Sequence, residues 1–314
     1  MTPRPLTPRT AAHRRLQAFR EGAIEGLLRL SAVAAVVALL LIIVFLFREA
    51  WGVFASVEAR SEAGLANLFG QPRWQPVSEV PKYGLLPLFV GTAKVVAVAM
   101  LFATPLGVLA ALFSSEFATP RFREMLKPAI EVLAGIPSVV LGFFALMVLA
   151  SWVQKATGAP FRLNALNAGI ALGLGVLPTI FTVAEDALRA VPRSYREASL
   201  GLGATPWQTA WTVALPAASA GVAAGVLLGL GRAIGETMIV LMASGNAPIT
   251  SGSALDSART FSATIAAELA EVVVGSPHSS VLFFLGAVLF TVTFAVNVLA
   301  GLLTERLRRQ LAGS

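Results

Sequence analysis

Six apolar segments, each close to the length that crosses a bilayer, constrain what this chain can fold into. A membrane-spanning helix needs about 20 predominantly apolar residues. The candidate segments are 30–47, 85–113, 130–153, 166–184, 218–244 and 281–303. Hydrophobic residues make up 56% of the 314 positions and charged residues 13%, which is about half the charged share of a soluble domain. The sequence therefore predicts an all-α integral membrane protein with six transmembrane helices.

The first apolar segment has the alternative interpretation of a cleaved signal peptide, because it follows a basic tail. Its apolar run is longer than that of a signal peptide, and no Ala-x-Ala cleavage pattern follows it. We therefore expect residues 30–47 to remain as an uncleaved anchor.

Lys and Arg residues concentrate on one side of the predicted spans. The side with the N-terminal tail carries fifteen of them, and the opposite side carries seven spread over longer loops. Because cytoplasmic loops are enriched in Lys and Arg, we expect a multi-pass protein of the bacterial inner membrane with both termini in the cytoplasm. The predicted regions are a basic cytoplasmic tail 1–29, a first transmembrane helix 30–47, a periplasmic loop 48–82, a transmembrane core 85–303 and a cytoplasmic tail 304–314.

Composition also excludes several kinds of chemistry. The chain has no cysteine and only two histidines, His13 and His278. Thiol catalysis is therefore excluded, and histidine-based catalysis or metal binding at membrane depth is not expected. The net charge of +7 comes mostly from residues that flank the spans, so it does not indicate nucleic-acid binding. We expect no catalytic residue and no metal site, and the lipid bilayer as the surrounding medium.

The polar stretch 191–216, which interrupts the apolar core, predicts two short helices separated by a hinge. Pro192 suits a first helical turn, and Gly203 suits a left-handed helix stop. Thr205 and Gln208 have the spacing of a capping box that restarts a helix. A stiff helix–turn–helix of this kind is suited to be gripped by a cytoplasmic partner, although an ordinary amphipathic connector has the same helical pattern.

Ionisable residues inside membrane spans are costly and therefore indicate function. Arg232 and Glu236 lie four residues apart in the fifth span, where one helix face would let them pair. The Arg232 guanidinium offers five donors that suit a tetrahedral oxyanion. A neighbouring carboxylate can hold that guanidinium in place or accept a proton. An internal ion pair that merely joins helices is an equal alternative.

Lys94 in the second span, and Pro137 and Ser138 in the third, admit both pathway and packing roles. Lys94 can snorkel or pair with an acidic neighbour. Pro137 interrupts a helical run, which frees a backbone carbonyl and favours a kink. Trp74 and Tyr83 lie near a span end, and we interpret them as interface anchors.

The spacing within the polar stretch resembles the EAA loop of ABC-importer permeases. Glu197-Ala198-Ser199 is followed by Gly203 and then by Val213-x-Leu215-Pro216, with Ser in place of the second Ala and Val in place of the usual Ile. The resemblance implies that this loop is a coupling helix, which docks into a groove of an ATPase subunit. The residues that we assign to this docking are Arg193, Tyr195, Glu197, Ala198, Leu202 and Gly203.

Longer matches resemble the phosphate importer permeases of the PstC type. The matching segments are 127–128, 133–140, 185–188 and 231–238. The similarity covers nearly the whole chain and implies a type I ABC importer permease fold with a cytoplasmic coupling helix. It also implies that inorganic phosphate passes Arg232 and Glu236 by alternating access. Thr237, in the same motif, is assigned a pathway or packing role.

The resemblance implies partners as well. These are a PstA-like second permease in a heterodimer, two ATPase subunits and a periplasmic phosphate-binding protein. The chain has no Gly-x-x-x-x-Gly-Lys-Ser/Thr phosphate loop, so we expect ATP and Mg²⁺ on the ATPase partner and no cofactor on this chain. Closure of the ATPase pair is expected to push the helix at 193–202, and a rigid fifth span is expected to carry the motion to Arg232.

Three alternatives stay open at the level of sequence. An importer of sulfate or molybdate has the same architecture, because one Arg does not separate tetrahedral oxyanions. An ion-coupled secondary carrier uses charges at the membrane midplane but needs no coupling loop. An intramembrane enzyme is disfavoured, since no Ser–His or His-rich constellation lies in any predicted span.

Overall fold

The computed structural model describes residues 8–312, and it describes side chains over residues 20–306 except Glu58. The predicted tails 1–29 and 304–314 therefore fall partly outside the described residues. The chain divides into two units, residues 1–49 and residues 50–314. Residues 8–49 of the first unit are the larger part of one long helix, and the second unit contains the remaining elements.

Helices form most of the described structure. In chain order they are α1 Pro8–Ala55, α2 Val57–Ala63, α3 Leu65–Gly70, α4 Leu86–Leu112, α5 Pro120–Gly135, α6 Ser138–Phe144, α7 Ala150–Thr157, α8 Ala165–Arg189, α9 Arg193–Gly201, α10 Pro206–Thr209, α11 Leu215–Ala217, α12 Ser219–Gly235, α13 Met238–Ala243, α14 Phe261–Glu268 and α15 Pro277–Ala312. The π-helical turns are Phe113–Phe117, Ala145–Leu149 and Ala210–Ala214. A two-stranded antiparallel sheet pairs β1 Trp74–Gln75 with β2 Lys82–Tyr83.

Five helical segments in the described part of the chain are long and apolar enough to cross a membrane. They are Arg20–Ala55, Leu86–Phe117, Ser138–Thr157, Ala165–Arg189 and Pro277–Arg306. A sixth is obtained if Pro206–Ala217 and Ser219–Gly235, which are bent by 70°, are counted together. The predicted all-α class with about six spans is confirmed. Helix α12 is continuous from Ser219 to Arg232, and the 70° bend lies just before it, between the fifth span and the segment 206–217.

Helices α4, α8 and α12 pack together at the centre of the second unit. Glycines recur at every fourth position along α12, at Gly221, Gly225 and Gly229, and all three lie against α8. Small residues allow two helices in a membrane to approach closely and gain van der Waals contact. This packing fixes the position of α12, and hence of Arg232, relative to α8.

Two of the predicted spans are broken. The third breaks at Ile136-Pro137, where the kink expected from Pro137 is instead a full interruption and the span begins at Ser138. Ile136 has φ −68° and ψ 124°, because the residue before a proline is driven out of the helical region. The fifth breaks at Glu236, with φ −68° and ψ 133°. The half-helices that follow, α6 and α13, pack against each other, which brings the two breaks together.

The β-hairpin packs onto α14 and the start of α15 through a buried polar cluster. Trp74 and Tyr83 pair across the hairpin and are each only 2% exposed, so their interpretation as interface anchors is wrong. The Trp74 indole donates to Glu268 Oε1 at 3.1 Å, and the same carboxylate accepts from Arg259 Nη2 at 2.5 Å. The Tyr83 ring stacks on His278. These residues form a second core that orders the loop region between the first two spans.

Candidate functional site

Arg232 lies in the last turn of α12, roughly 20 Å along the helix from its first residue at 1.5 Å per residue. Its Nη1 donates to Thr179 Oγ1 on α8 at 3.1 Å. Its side chain is otherwise exposed on this chain. A guanidinium at this depth is strongly disfavoured against lipid, so such residues face a protein interior or a water-filled cavity. We therefore do not expect lipid to contact the exposed face around Arg232.

Glu236 does not pair with Arg232, although the sequence spacing allowed that pairing. The helix ends at Gly235, so Glu236 leaves the helical face that an i, i+4 pair requires. Glu236 Oε1 instead accepts the backbone N–H of Thr237 at 3.2 Å, and Ser262 Oγ donates to the Glu236 carbonyl at 2.8 Å. These contacts stabilise the broken backbone. They leave the Arg232 guanidinium without a carboxylate partner among the described residues.

Arg232 and Glu236 nevertheless line one cavity at the two helix breaks. Its lining residues are Leu133, Ile136, Ser138, Leu141, Leu172, Gly175, Val176, Arg232, Glu236 and Ile239. Its volume is about 20 Å³, which is room for about one water molecule. A tetrahedral oxyanion has at least five heavy atoms, so it does not fit in this cavity as it stands. One cation and one carboxylate share the cavity lining.

The remaining predicted pathway residues lie at the two breaks, except for Lys94 on α4. Ser138 begins α6 and lines the cavity, Pro137 precedes it, and Thr237 precedes α13. Lys94 is not among the lining residues: its Nζ donates to the Ser251 carbonyl at 3.1 Å. The structure thus brings Ser138 next to Arg232 and Glu236, and it places Lys94 as a tether for the loop before α14.

The predicted coupling residues form an outward-facing surface on α9 and on the turn that follows it. Tyr195 is 55% exposed and Leu202 is 91% exposed, and Arg193, Glu197 and Ala198 are exposed as well. Apolar side chains on a solvent-facing helix surface indicate a site for a partner.

The turn after α9 is built as the sequence predicts. Gly203 has φ +89°, in the region that glycine adopts without strain. Thr205 and Gln208 form both hydrogen bonds of the capping box, and Ser199 Oγ and Thr209 Oγ1 are 2.9 Å apart. The turn therefore holds α9 and α10 in a fixed relation.

Sequence reasoning missed three residues that the structure places at these sites. Thr179, the partner of Arg232, follows Pro178 in the fourth span, and a hydroxyl beside an intrahelical proline was the available signal. Arg196 on α9 points inward and binds Glu116 at the end of α4 with Nε–Oε2 2.9 Å and Nη2–Oε1 2.7 Å. The hydrogen bonds with the Glu116 carboxylate raise the pKa of Arg196 above its ordinary value. The available signal was that Arg196 lies on the opposite face of α9 from Ala198.

Comparison with known proteins agrees with this arrangement. Residues 103–309 match the family described as "Binding-protein-dependent transport system inner membrane component". The chain is 37% identical over 233 residues to the "Probable ABC transporter permease protein YqgH" of Bacillus subtilis, covering 74% of this chain and 75% of that protein. It is 33% identical over 290 residues to the "Phosphate transport system permease protein PstC" of Mesorhizobium japonicum, covering 86% and 88%.

Solved structures show the same fold at low sequence identity. A bacterial alginate ABC transporter chain superposes with a TM-score of 0.62 at 14% identity, over 92% of this chain and 96% of that chain. A chain of the MetNI methionine ABC transporter superposes with a TM-score of 0.56 at 16% identity, over 71% and 97%. The type I ABC importer permease fold is therefore confirmed. The protein is a multi-pass protein of the inner membrane and belongs to the family of inner-membrane components of binding-protein-dependent transport systems.

Proposed function

We propose that this chain is one permease subunit of an ATP-driven importer that carries inorganic phosphate across the bacterial inner membrane by alternating access. Similarity to a phosphate transport permease over most of both chains supports the substrate. The observation that carries the proposal is the Arg232 guanidinium, which is exposed on this chain at membrane depth and lies beside the small cavity at two helix breaks. A planar group with five donors suits a multiply hydrogen-bonding oxyanion such as phosphate.

The exposed Arg232 face is the surface that a second permease subunit covers in this proposal. A PstA-like partner there would remove the guanidinium from lipid and complete the wall of the pathway. Two ATPase subunits bind the outward face of α9 and its counterpart in the partner, and both termini of this chain lie on that cytoplasmic side. A periplasmic phosphate-binding protein docks at the opposite end. ATP and Mg²⁺ belong to the ATPase subunits, and this chain itself is non-catalytic and binds no cofactor.

In this proposal, phosphate crosses the membrane when the cavity at the two helix breaks widens. Phosphate released by the binding protein exchanges water for hydrogen bonds from Arg232 and from hydroxyls such as Thr179 and Ser138. Glu236 lies close by, so its carboxylate repels a fully ionised oxyanion and keeps retention weak enough for release. Separation of α5 and α6 from α12 and α13 then widens the 20 Å³ cavity and lets the ion pass.

Substitution of Arg232 tests the proposal. Loss of a charged hydrogen-bond donor costs about 1.5–3 kcal/mol, which corresponds to roughly 10- to 100-fold in rate. Arg232→Ala should therefore lower ATP-dependent phosphate uptake by at least about tenfold, and Arg232→Lys should retain an intermediate rate because the charge persists. Lys155→Ala removes an exposed cation elsewhere on a span end and serves as the matched control. Normal uptake by Arg232→Ala at normal expression would refute the pathway role.

A further inference from the structure

The coupling helix α9 is joined to the membrane core by a partly buried ion pair. Arg196 and Glu116 side chains are only 20% and 9% exposed. Both guanidinium–carboxylate hydrogen bonds are shorter than 3.0 Å, which is the paired geometry that arginine forms with a carboxylate and lysine does not. Glu116 is presented by the π-helical turn Phe113–Phe117 that extends α4, and single π-helical turns recur at functional positions.

The same guanidinium also caps the C-terminal end of α8. Arg196 Nη1 donates to the Val191 carbonyl at 2.7 Å, and Nη2 donates to the Leu188 carbonyl at 2.8 Å. Carbonyls at the end of a helix have no partner within the helix, so these contacts supply one from another segment. A single side chain therefore links three segments, which are the end of α4, the end of α8 and helix α9.

The π-helical turn that carries Glu116 is also held by hydrogen bonds from helix α5. Arg123 on α5 donates from Nε to the Ser114 carbonyl at 2.8 Å and from Nη2 to the Ser115 carbonyl at 3.1 Å. The position of Glu116 is thus fixed by backbone contacts that do not involve α9. A shift of α9 has to be accompanied by this turn or has to break the Arg196–Glu116 pair.

We propose that Arg196 and Glu116 form a permanent link that makes α9 and the adjoining ends of α4 and α8 move as one body. When the ATPase subunits displace α9, the end of α8 at Arg189 moves with it. Thr179, which binds Arg232, lies ten residues earlier on the same helix, so the motion reaches Arg232 through α8. This route adds to the one through α12, which is joined to the segment 206–217 by a 70° bend. Arg196 acts as a positioning residue, and the inference rests on the proposed function.

The test measures phosphate uptake and ATP hydrolysis together in vesicles that hold the complete complex. Glu116→Gln and Arg196→Gln should each lower the phosphate transported per ATP hydrolysed at least fivefold while ATP hydrolysis continues, and the double variant should be no worse than either single variant. Arg196→Lys keeps a positive charge beside Glu116, so it should give an intermediate ratio, and it provides a second readout if an uncharged variant fails to assemble. Arg121→Gln changes an exposed cation on α5 and should leave the ratio unchanged.

Cross-linking separates a permanent link from a pair that opens in each cycle. The chain has no cysteine, so Glu116→Cys with Arg196→Cys gives the only two thiols of this chain, and the partner subunits are used in cysteine-free form. Bridging them with a short bis-methanethiosulfonate reagent should restore at least half of the wild-type ratio, and reduction should abolish that gain. Wild-type ratios in the single variants, or transport blocked by the cross-link, would overturn the inference. If wild-type vesicles show no ATP-dependent phosphate uptake, the proposed function fails instead.

Discussion

Replacement of Gly221 by alanine is the sharpest test of the packing that positions Arg232. A Cβ atom built at Gly221 lies 2.3 Å from the Cβ atom of Ala187 on α8, and the next nearest atom is the Ala187 Cα at 3.5 Å. Real Cβ atoms do not approach so closely, and neither atom belongs to a flexible side chain. The two helices must therefore move apart near the coupling end of α12.

The expected cost follows from this single overlap. Overpacking of a tight contact costs about 1–3 kcal/mol, and the lower helix propensity of glycine returns at most about 1 kcal/mol when alanine replaces it. Gly221→Ala should therefore be about 1–3 kcal/mol less stable than a Gly→Ala variant at a helical site without the overlap, where only the propensity changes. Adding Ala187→Gly removes the overlapping atom, so the double variant should recover most of the loss.

The assay is unfolding in detergent by titration with sodium dodecyl sulfate, followed by circular dichroism. Gly301→Ala is the control, because a Cβ there meets no atom within 4 Å among the described residues. The reasoning is refuted if Gly221→Ala is as stable as Gly301→Ala. It is refuted equally if Ala187→Gly adds to the loss rather than relieving it, since the two changes would then be independent.

Two further predictions concern the coupling turn and the hairpin. Gly203→Ala forces an L-residue to φ +89°, at a cost of about 1–2 kcal/mol, so less ATPase subunit should co-purify with this variant. The control is Gly201→Ala, whose Cβ meets no described atom within 4 Å. Equal co-purification with the two variants would contradict the prediction. Burial, with added repulsion from nearby glutamates, raises the pKa of Tyr83 from 10.0 to about 12. Tyr83 and Tyr195 are the only tyrosines, so ultraviolet titration of the Tyr195→Phe variant reports ionisation of Tyr83 alone. Its midpoint should lie near pH 12, measured while helical circular dichroism persists. A midpoint near pH 10 in the folded protein would contradict the burial of Tyr83.

Local sequence signals were sufficient for the coupling loop. Gly203 adopts the positive φ and Thr205 forms the capping box that their positions predicted. Both features depend on residues within a few positions of each other, and local backbone chemistry determines them. The number and approximate positions of the spans were likewise predictable, because hydropathy alone decides which segments enter a bilayer.

Features that depend on distant residues were not predictable. The break at Glu236 has no proline, and the Ser262 hydroxyl that donates to its carbonyl comes from another helix. The pairing of Arg196 with Glu116 joins residues 80 positions apart. Trp74 is buried because the hairpin folds onto Glu268 of α14, a contact that hydropathy near a span end does not reveal. The sequence could identify which residues are chemically unusual but not which of them meet.

The central claim is tested most directly by uptake of labelled phosphate into proteoliposomes that contain both permeases and both ATPase subunits, with the binding protein supplied. Sulfate and molybdate are added as competitors. The account predicts uptake that requires ATP hydrolysis and resists both competitors. ATP-dependent uptake of another oxyanion in place of phosphate would contradict the assigned substrate, and phosphate uptake without nucleotide would contradict the coupling role of α9.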